Sequence, residues 1–314
     1  MNLLIVSPSP HIRGKLTTNG IMRDVLIALA PAAIASAVIF GLRALLVIAV
    51  CVVACVVFEF AFQKLAKHDK TTIGDLSAAV TGVLLAFNLP STIPLWQAVV
   101  GCFFAIVVVK QLFGGIGKNF ANPAVTARIF LALAFAATMS HFVSPVDGVT
   151  SATPLMLTGA TPNTVAEQMP SMLNLFLGNH GGVLGETSAL ALLLGGTYLL
   201  IRRVIGFETP LTFIGVVFLL SLAFGRNPVQ AILSGGVMLG AFFMATDYVT
   251  APLTFKGRVI FGIGCGLFTV LFRELSSYPE GVSFAILLMN ILTPYINRFS
   301  QTTPFGVSKR KKEA

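Results

Sequence analysis

Between Asp75 and Lys110 the chain reads Leu76-Ser-Ala-Ala-Val-Thr-Gly-Val-Leu-Leu-Ala-Phe-Asn-Leu-Pro-Ser-Thr-Ile-Pro-Leu-Trp-Gln-Ala-Val-Val-Gly-Cys-Phe-Phe-Ala-Ile-Val-Val-Val109, without one charged side chain. A membrane-spanning helix needs about 20 mostly apolar residues. This stretch is long enough for two, and Asn88–Pro94, with its two prolines, divides it into helix, turn and helix. The whole chain has the same character. Of 314 residues, 55% are hydrophobic and 11% charged, and the mean hydropathy is +0.88. Soluble domains carry about 25% charged residues. A soluble globular enzyme, a disordered chain and a nucleic-acid-binding module are therefore excluded, and membrane lipid is the expected surrounding.

Charged residues cut the rest into similar pieces. Val25–Leu42, Ala44–Phe58, the two helices within Leu76–Val109, and Ile129–Val146 form one set of five. Thr187–Ile201, Thr209–Gly225, Asn227–Thr246, Val259–Phe272 and Gly281–Asn297 form a second. The expected fold class is an all-α polytopic membrane protein of about ten transmembrane helices. With the N-terminus inside, 17 of the 21 basic residues fall on inner segments: Arg13, Lys15 and Arg23; Lys64, Lys67 and Lys70; Lys110 and Lys118; Arg202 and Arg203; Lys256 and Arg258; Arg298 and Lys309–Lys312. Only Arg43, Arg226 and Arg273 fall outside, and Arg128 sits at the edge of the fifth span. Basic residues collect on the cytoplasmic side of membranes, so both termini are expected to be cytoplasmic. No secretory signal is evident in the polar, basic start.

Five spans per half is odd, so a duplicated second half would insert upside down. Thr81–Phe87 resembles Gly235–Ala241, and Lys110-Gln-Leu112 resembles Arg273-Glu-Leu275. The expected units are a first five-helix repeat over 1–141, an extracytoplasmic loop over 142–181, a second repeat over 182–300 and a basic cytoplasmic tail over 301–314. Gly-rich apolar helices also resemble one another without common origin.

Catalytic motifs are missing, and His11, His68, His141 and His180 have no metal-ligand spacing. Cys51 and Cys55 share a helix face, Cys102 and Cys265 stand apart, and all four read as packing residues. No catalytic or metal residue is assigned. Ionisable groups inside a membrane are costly and informative. Asp75 reads as a helix cap, Glu186 as another, and Glu59 as a partner of Lys64. Arg128 and Asp247 suit function or ion pairing equally, and an arginine there could hold an anionic cofactor group. The loop Ser144–Gly182 is rich in Thr, Pro and Gly. It lies in the segment Ile129–Ile201, which has no Lys or Arg, so it is expected outside; nothing physical selects one of its threonines.

Resemblance adds what composition does not. Ser7–Pro10, Lys110-Gln-Leu-Phe-Gly-Gly-Ile-Gly-Lys-Asn119, Asn122-Pro-Ala124, Met238–Phe243, Thr246-Asp-Tyr-Val-Thr250, Gly257–Gly262 and Tyr278-Pro-Glu-Gly-Val282 run nearly end to end. Together they resemble the NqrB/RnfD family. The likeness is greatest to its RnfD branch, from the Rnf complex, the ion-translocating ferredoxin:NAD oxidoreductase. It is more distant to the NqrB branch, from the sodium-translocating NADH:quinone reductase. The resemblance implies an FMN bound through its phosphate to a threonine in D-G-x-S-x-A-T-P-L. Asp147-Gly-Val-Thr-Ser-Ala-Thr-Pro-Leu155 matches, with Thr150 in place of the serine, and puts the flavin on Thr153. Thr158-Gly-Ala-Thr161 resembles a different flavin tag but lacks its flanking residues, so Thr161 is the weaker candidate.

The resemblance also implies a non-covalent riboflavin, the other Rnf subunits (A, B, C, E and G) as partners, an extracytoplasmic flavin transferase, and a bacterial cytoplasmic (inner) membrane. Asn122, Arg128 and Asp247 are candidates for either flavin pocket. The expected function is electron transfer within a complex that couples redox energy to Na⁺ or H⁺ movement. The chain has no iron–sulfur or nicotinamide motif of its own, so its partners must supply those. A small-solute channel or permease with inverted repeats is the alternative, and the NqrB component of the quinone reductase is a third reading.

Overall fold

Thr17 opens the first helix: its hydroxyl accepts the Gly20 N–H at 3.1 Å, and α1 (Thr18–Phe40) runs to Gly41. Gly41 has φ +70°, a left-handed turn that a Cβ resists, and it sends α2 (Leu42–Leu65) back beside α1. The computed structural model describes residues 17–66, 73–144, 153–158, 170–275 and 280–301. Ser7–Pro10, Lys67, Lys70, Asp147–Ala152, Thr161, Tyr278 and the basic tail lie outside the described residues.

The Leu76–Val109 stretch folds as its prolines require. Asp75 Oδ1 accepts the Ser77 N–H at 2.8 Å and the Ser77 hydroxyl at 2.6 Å, but Asp75 closes a short 3-10 turn (Ile73–Asp75) and the N-cap position is Leu76, so it is not the helix cap expected of it. From there α3 (Ser77–Phe87) rises 11 residues, about 16 Å at 1.5 Å each. After the turn, α4 (Leu95–Gln111) returns, and its second half, Phe104–Gln111, is π-helical. The next helix, α5 (Pro123–Ala134), starts six residues before the expected span and ends well short of Val146. Asn122 explains the start: its Oδ1 accepts the N–H groups of Ala124 at 3.0 Å and Val125 at 3.4 Å, and Pro123 presets the first helical φ.

In the second half, α6 (Ala189–Ile201) is capped by Ser188 and followed by α7 (Glu208–Ala223). The expected continuous span over Asn227–Thr246 is instead a broken helix, α8. It consists of Pro228–Leu233, Val237–Leu239 and a π-helical turn at Gly240–Met244, interrupted at Ser234-Gly235-Gly236, where Gly235 has φ +67°. Then come α9 (Phe255–Leu275) and α10 (Gly281–Ser300). The described residues contain no strand; Pro90 and Val183 form an isolated bridge.

Among the described residues, four helices, α1, α2, α9 and α10, are long and apolar enough to cross a membrane by length and composition. Phe87, Phe213 and Phe261 are fully buried between the helices. Outside, Val38, Leu42, Leu65, Leu275 and Phe299 are 80–87% exposed. Water disfavours such a surface, whereas bilayer hydrocarbon accepts it, and the protein is a membrane protein. Across the middle, α1 packs on α6 and α5 on α10, while α7 lies along α9.

Candidate functional site

The sequence candidates separate into two places along α5. Asn122 caps its start, and Arg128 lies six residues further, about 9 Å along the axis.

The first place surrounds Thr153. The segment before α6 is pinned to the end of α3: Leu184 N–H donates to Leu89 O at 3.0 Å and Gly185 N–H to Phe87 O at 2.9 Å. A Cβ at Gly185 would collide with the Phe87 ring, so only glycine permits this approach. Docked there, His180, Gly182 and Glu186 line a crevice with Thr153, Gly235 and Glu280. Thr153 is 6% exposed and precedes the short helix Pro154–Thr158. His180 Nδ1 lies 3.0 Å from Gly181 O. A carbonyl only accepts, so Nδ1 carries the proton. Burial holds the imidazole below its ordinary pKa, against the pull of the Gly181 and Thr187 backbone. Its Nε2 is buried with no protein partner.

Arg128 does not enter this crevice directly. It sits behind it, 3.2 Å from Glu186 Oε1, paired with Glu280, and donating to Ser283 Oγ at 2.7 Å. Glu186 is therefore an ion partner rather than the expected helix cap, a role that Ser188 takes by accepting the Ala191 N–H at 3.4 Å. Arg273 stands nearby: a Cβ at Gly235 would lie 3.1 Å from its Nη2. Its two terminal nitrogens donate to Ala231 O at 2.6 Å and Ser234 O at 2.9 Å, which satisfies the carbonyls freed by the break in α8. Its Nε is buried without a partner.

The second place is a cavity of about 90 Å³ that Asn122 and Asp247 share with Ser77, Lys110, Phe242 and Thr246. Asn122 Nδ2 donates to Met244 O at 3.3 Å and ties α5 to the π-helical turn of α8. Asp247 accepts from the Tyr248 N–H and the Thr250 hydroxyl, both at 3.3 Å. Lys110 Nζ donates to Glu59 Oε2 at 2.8 Å and to Ser77 Oγ at 2.6 Å, with both ionic side chains buried. The expected Glu59–Lys64 pairing is thus corrected. Lys64 lies over the Phe60 ring instead, 5.9 Å from its centroid, and the partner comes from the π-helical half of α4.

Sequence reasoning missed Lys110 and Glu280 as ion partners and His180 as a lining residue. Lys110 was the one with a signal, being the charge that ends a long apolar run. All four cysteines are buried and free. Cys102 is not isolated, since its Sγ lies 3.6 Å from Cys51 O across α2 and α4.

Comparison with known proteins covers both places. The model of the NQR2, RnfD, RnfE family matches residues 5–306. The D-type subunit of the Na(+)-translocating ferredoxin:NAD(+) oxidoreductase complex of Acetobacterium woodii is 50% identical, over 99% of this chain and 98% of its own. Its counterpart in the proton-translocating ferredoxin:NAD(+) oxidoreductase complex of Clostridium ljungdahlii is 40% identical, over 98% of each. The D-type subunit of the ion-translocating oxidoreductase complex of Halorhodospira halophila is 35% identical, over 95% of this chain and 94% of its own. Matched along nearly its whole length, the chain belongs to the NQR2, RnfD, RnfE family.

Proposed function

We propose that the chain is the D-type membrane subunit of an ion-translocating ferredoxin:NAD(+) oxidoreductase complex and that it carries electrons through an FMN esterified to Thr153. The observation that carries the role is similarity along the whole chain to D-type subunits of such complexes, 50% and 40% identical. The A, B, C, E and G subunits are then its partners, in a cytoplasmic membrane.

For the flavin, the support is local. Thr153 lines a crevice beside which two basic side chains each keep a buried nitrogen without a protein partner, His180 Nε2 and Arg273 Nε. A phosphoryl oxygen accepts from His180 Nε2 only when that nitrogen is protonated, because Nδ1 carries the proton of the neutral ring. His180, once protonated, would meet the phosphate, and Arg128 offsets one of the two carboxylate charges of Glu186 and Glu280. Bound there, the flavin supplies one- and two-electron transfer. The chain's own residues fix its position. A transferase on the outer face makes the ester. The second flavin, riboflavin, is implied by the family likeness; the cavity of Asn122, Lys110 and Asp247, at about 90 Å³, is well below the ~300 Å³ of usual ligand pockets and does not fit its ring system.

The topology belongs to the same reading: ten spans in two inverted repeats, over 1–141 and 182–300, joined by the outer loop 142–181, with both termini and the tail 301–314 cytoplasmic. Its support is the 17 basic residues on one side and the pairing of α1 with α6 and α5 with α10, the first and fifth helix of each half.

In-gel ultraviolet fluorescence of the denatured protein tests the flavin. Wild type and Thr161→Ala fluoresce, and Thr153→Ala is dark. Fluorescence retained by Thr153→Ala and lost in Thr161→Ala would reverse the assignment. A wild-type chain dark after expression with the transferase removes the electron-carrier reading. The first two relatives differ in their ion, so Na⁺-dependence of transport by the assembled complex decides the ion here.

A further inference from the structure

One face of α7 is apolar and left open by the fold. Phe207, Leu211, Ile214 and Phe218 follow at steps of four, three and four residues, which aligns them along one side of the helix. With Leu200 of α6 and Phe242 of α8 they line a groove of about 330 Å³, which no polar side chain enters. That volume is in the range of ligand pockets, ~300–1,000 Å³. Gly215 keeps the groove open, since a Cβ there meets nothing within 4 Å. Phe242 closes its inner side. The same ring lines the cavity of Asn122 and Asp247, so it separates the groove from their polar groups. At about 1.5 Å per residue the stripe from Phe207 to Phe218 is roughly 16 Å long, half of a ~30 Å hydrocarbon core. The groove is therefore as long as one leaflet is deep.

Its mouth, at the turn from α6 to α7, is basic. Arg202 lies 3.2 Å from Asp24 and Arg258 lies 3.8 Å from Glu208, so each has a carboxylate. A Cβ at Gly206 would lie 3.1 Å from Arg258 Nη1, which places that arginine at the turn. Arg203 is exposed and has no acidic partner among the described residues. Its backbone is also unusual. The Val204 N–H donates to Leu199 O at 2.9 Å and the Arg203 N–H to Leu200 O at 3.0 Å, the pattern that closes a helix through a left-handed residue. Arg203 is that residue, at φ +56°, where glycine is favoured. The strained position thus carries a long cation, four residues before Phe207.

We infer that the groove holds an acyl chain of an anionic phospholipid whose phosphate is met by Arg203. The apolar stripe takes the chain along one leaflet, and the guanidinium pairs with the phosphate oxygens. Charge decides between this occupant and an apolar helix of another subunit. Such a helix would cover the stripe but leave Arg203 without an anion, whereas one anionic lipid answers both. Basic pockets between membrane helices bind anionic headgroups in this way. The site is independent of the flavin and of the electron-carrier reading.

The test places the assembled complex in vesicles of equal parts phosphatidylcholine and phosphatidylglycerol. A trace of either lipid carries a photoactivatable diazirine in its acyl chain. After illumination, mass spectrometry measures label on the tryptic peptide that ends at Arg226 and contains α7. In wild type the phosphatidylglycerol probe labels it about fivefold more than the phosphatidylcholine probe, the factor expected of one basic residue facing an anionic lipid. Arg203→Gly removes this preference while suiting the left-handed backbone, so the fold is spared. Gly215→Leu fills the groove and removes the preference too. Equal labelling of wild type by the two probes, or a preference that survives Arg203→Gly, overturns the proposal. Absence of label from both probes in wild type means that another subunit covers the groove, and overturns it as well. Should Gly215→Leu fail to assemble, Arg203→Gly decides alone.

Discussion

Arg128 Nη1 stands 3.2 Å from Glu186 Oε1, joining the middle of α5 to the segment that leads into α6, and both side chains are buried. The same guanidinium is paired with Glu280 at the start of α10. One cation therefore answers two carboxylates from distant parts of the chain. Arg128→Gln leaves those carboxylates facing each other, a change that costs about 3–5 kcal/mol when a buried partner is lost. Thermal unfolding in detergent is expected to show it as a clear drop in midpoint. Adding Glu186→Gln should recover part of the loss, because one stranded charge is gone. Strictly additive losses would show that the pair is not coupled.

The Glu59–Lys110 pair makes a second cycle. Glu59→Gln and Lys110→Met each strand a buried partner, so each alone is expected to cost about 3–5 kcal/mol. The double variant should cost clearly less than the sum, because no uncompensated charge remains. Ser77 modulates this, since its hydroxyl also accepts from Lys110. The measurement is again the unfolding midpoint of purified protein. A double variant as unstable as the sum of the singles would refute the coupling.

These pairs mark the limit of what the sequence reveals. Apolar runs give α1, α2, α9 and α10, and Pro90 and Pro94 give the turn between α3 and α4, because hydrophobicity and proline act locally. Asn122-Pro123 was visible ahead of Ile129–Val146, but counting from the charge at Arg128 put the start of the helix six residues late. The break in α8 had a visible cause in Gly235-Gly236, but glycines are common in membrane helices and the run stayed apolar. The site was legible only as separate letters. Thr153 came from a motif, while Arg128 and Asp247 came from the cost of burying charge. Which carboxylate meets which cation depends on helix packing across the whole fold, so Glu280, His180 and Lys110 could not be attached to a site beforehand.

Packing between the halves gives a paired glycine test. A Cβ at Gly195 in α6 would overlap the carbonyl oxygen of Ala28 in α1, so Gly195→Ala forces these helices apart. Overpacking of this kind costs about 1–3 kcal/mol. At Gly215 in α7 a Cβ meets nothing within 4 Å, and Gly215→Ala should be neutral or stabilising by about 0.5–1 kcal/mol. Midpoints moving in opposite directions are the expected result. A harmless Gly195→Ala would mean that α1 and α6 do not make this close contact.

The protonation of His180 supplies a pH prediction whose sign depends on the flavin. Without flavin, burial holds the native imidazole below its unfolded value of about 6.5. Between those two values the unfolded chain binds more protons than the native one, so stability rises with pH. This contribution is complete above about pH 6.5 and is lost as pH falls towards the native value. His180→Gln removes it. Protein made without the transferase should therefore lose stability relative to His180→Gln as pH drops from 7 to 5, by at most about 1.4 kcal/mol per pH unit. With a phosphodiester on Thr153 the native imidazolium gains a partner and its pKa rises. Stability relative to the variant is then greatest below about pH 6.5 and is lost as pH climbs through the raised native value. Unfolding midpoints of the two proteins, with and without flavin, from pH 5 to 8 give the comparison. Curves that stay parallel in the flavin-free protein would mean that His180 is not buried as described. An unchanged sign after flavin loading would mean that the phosphate does not meet it.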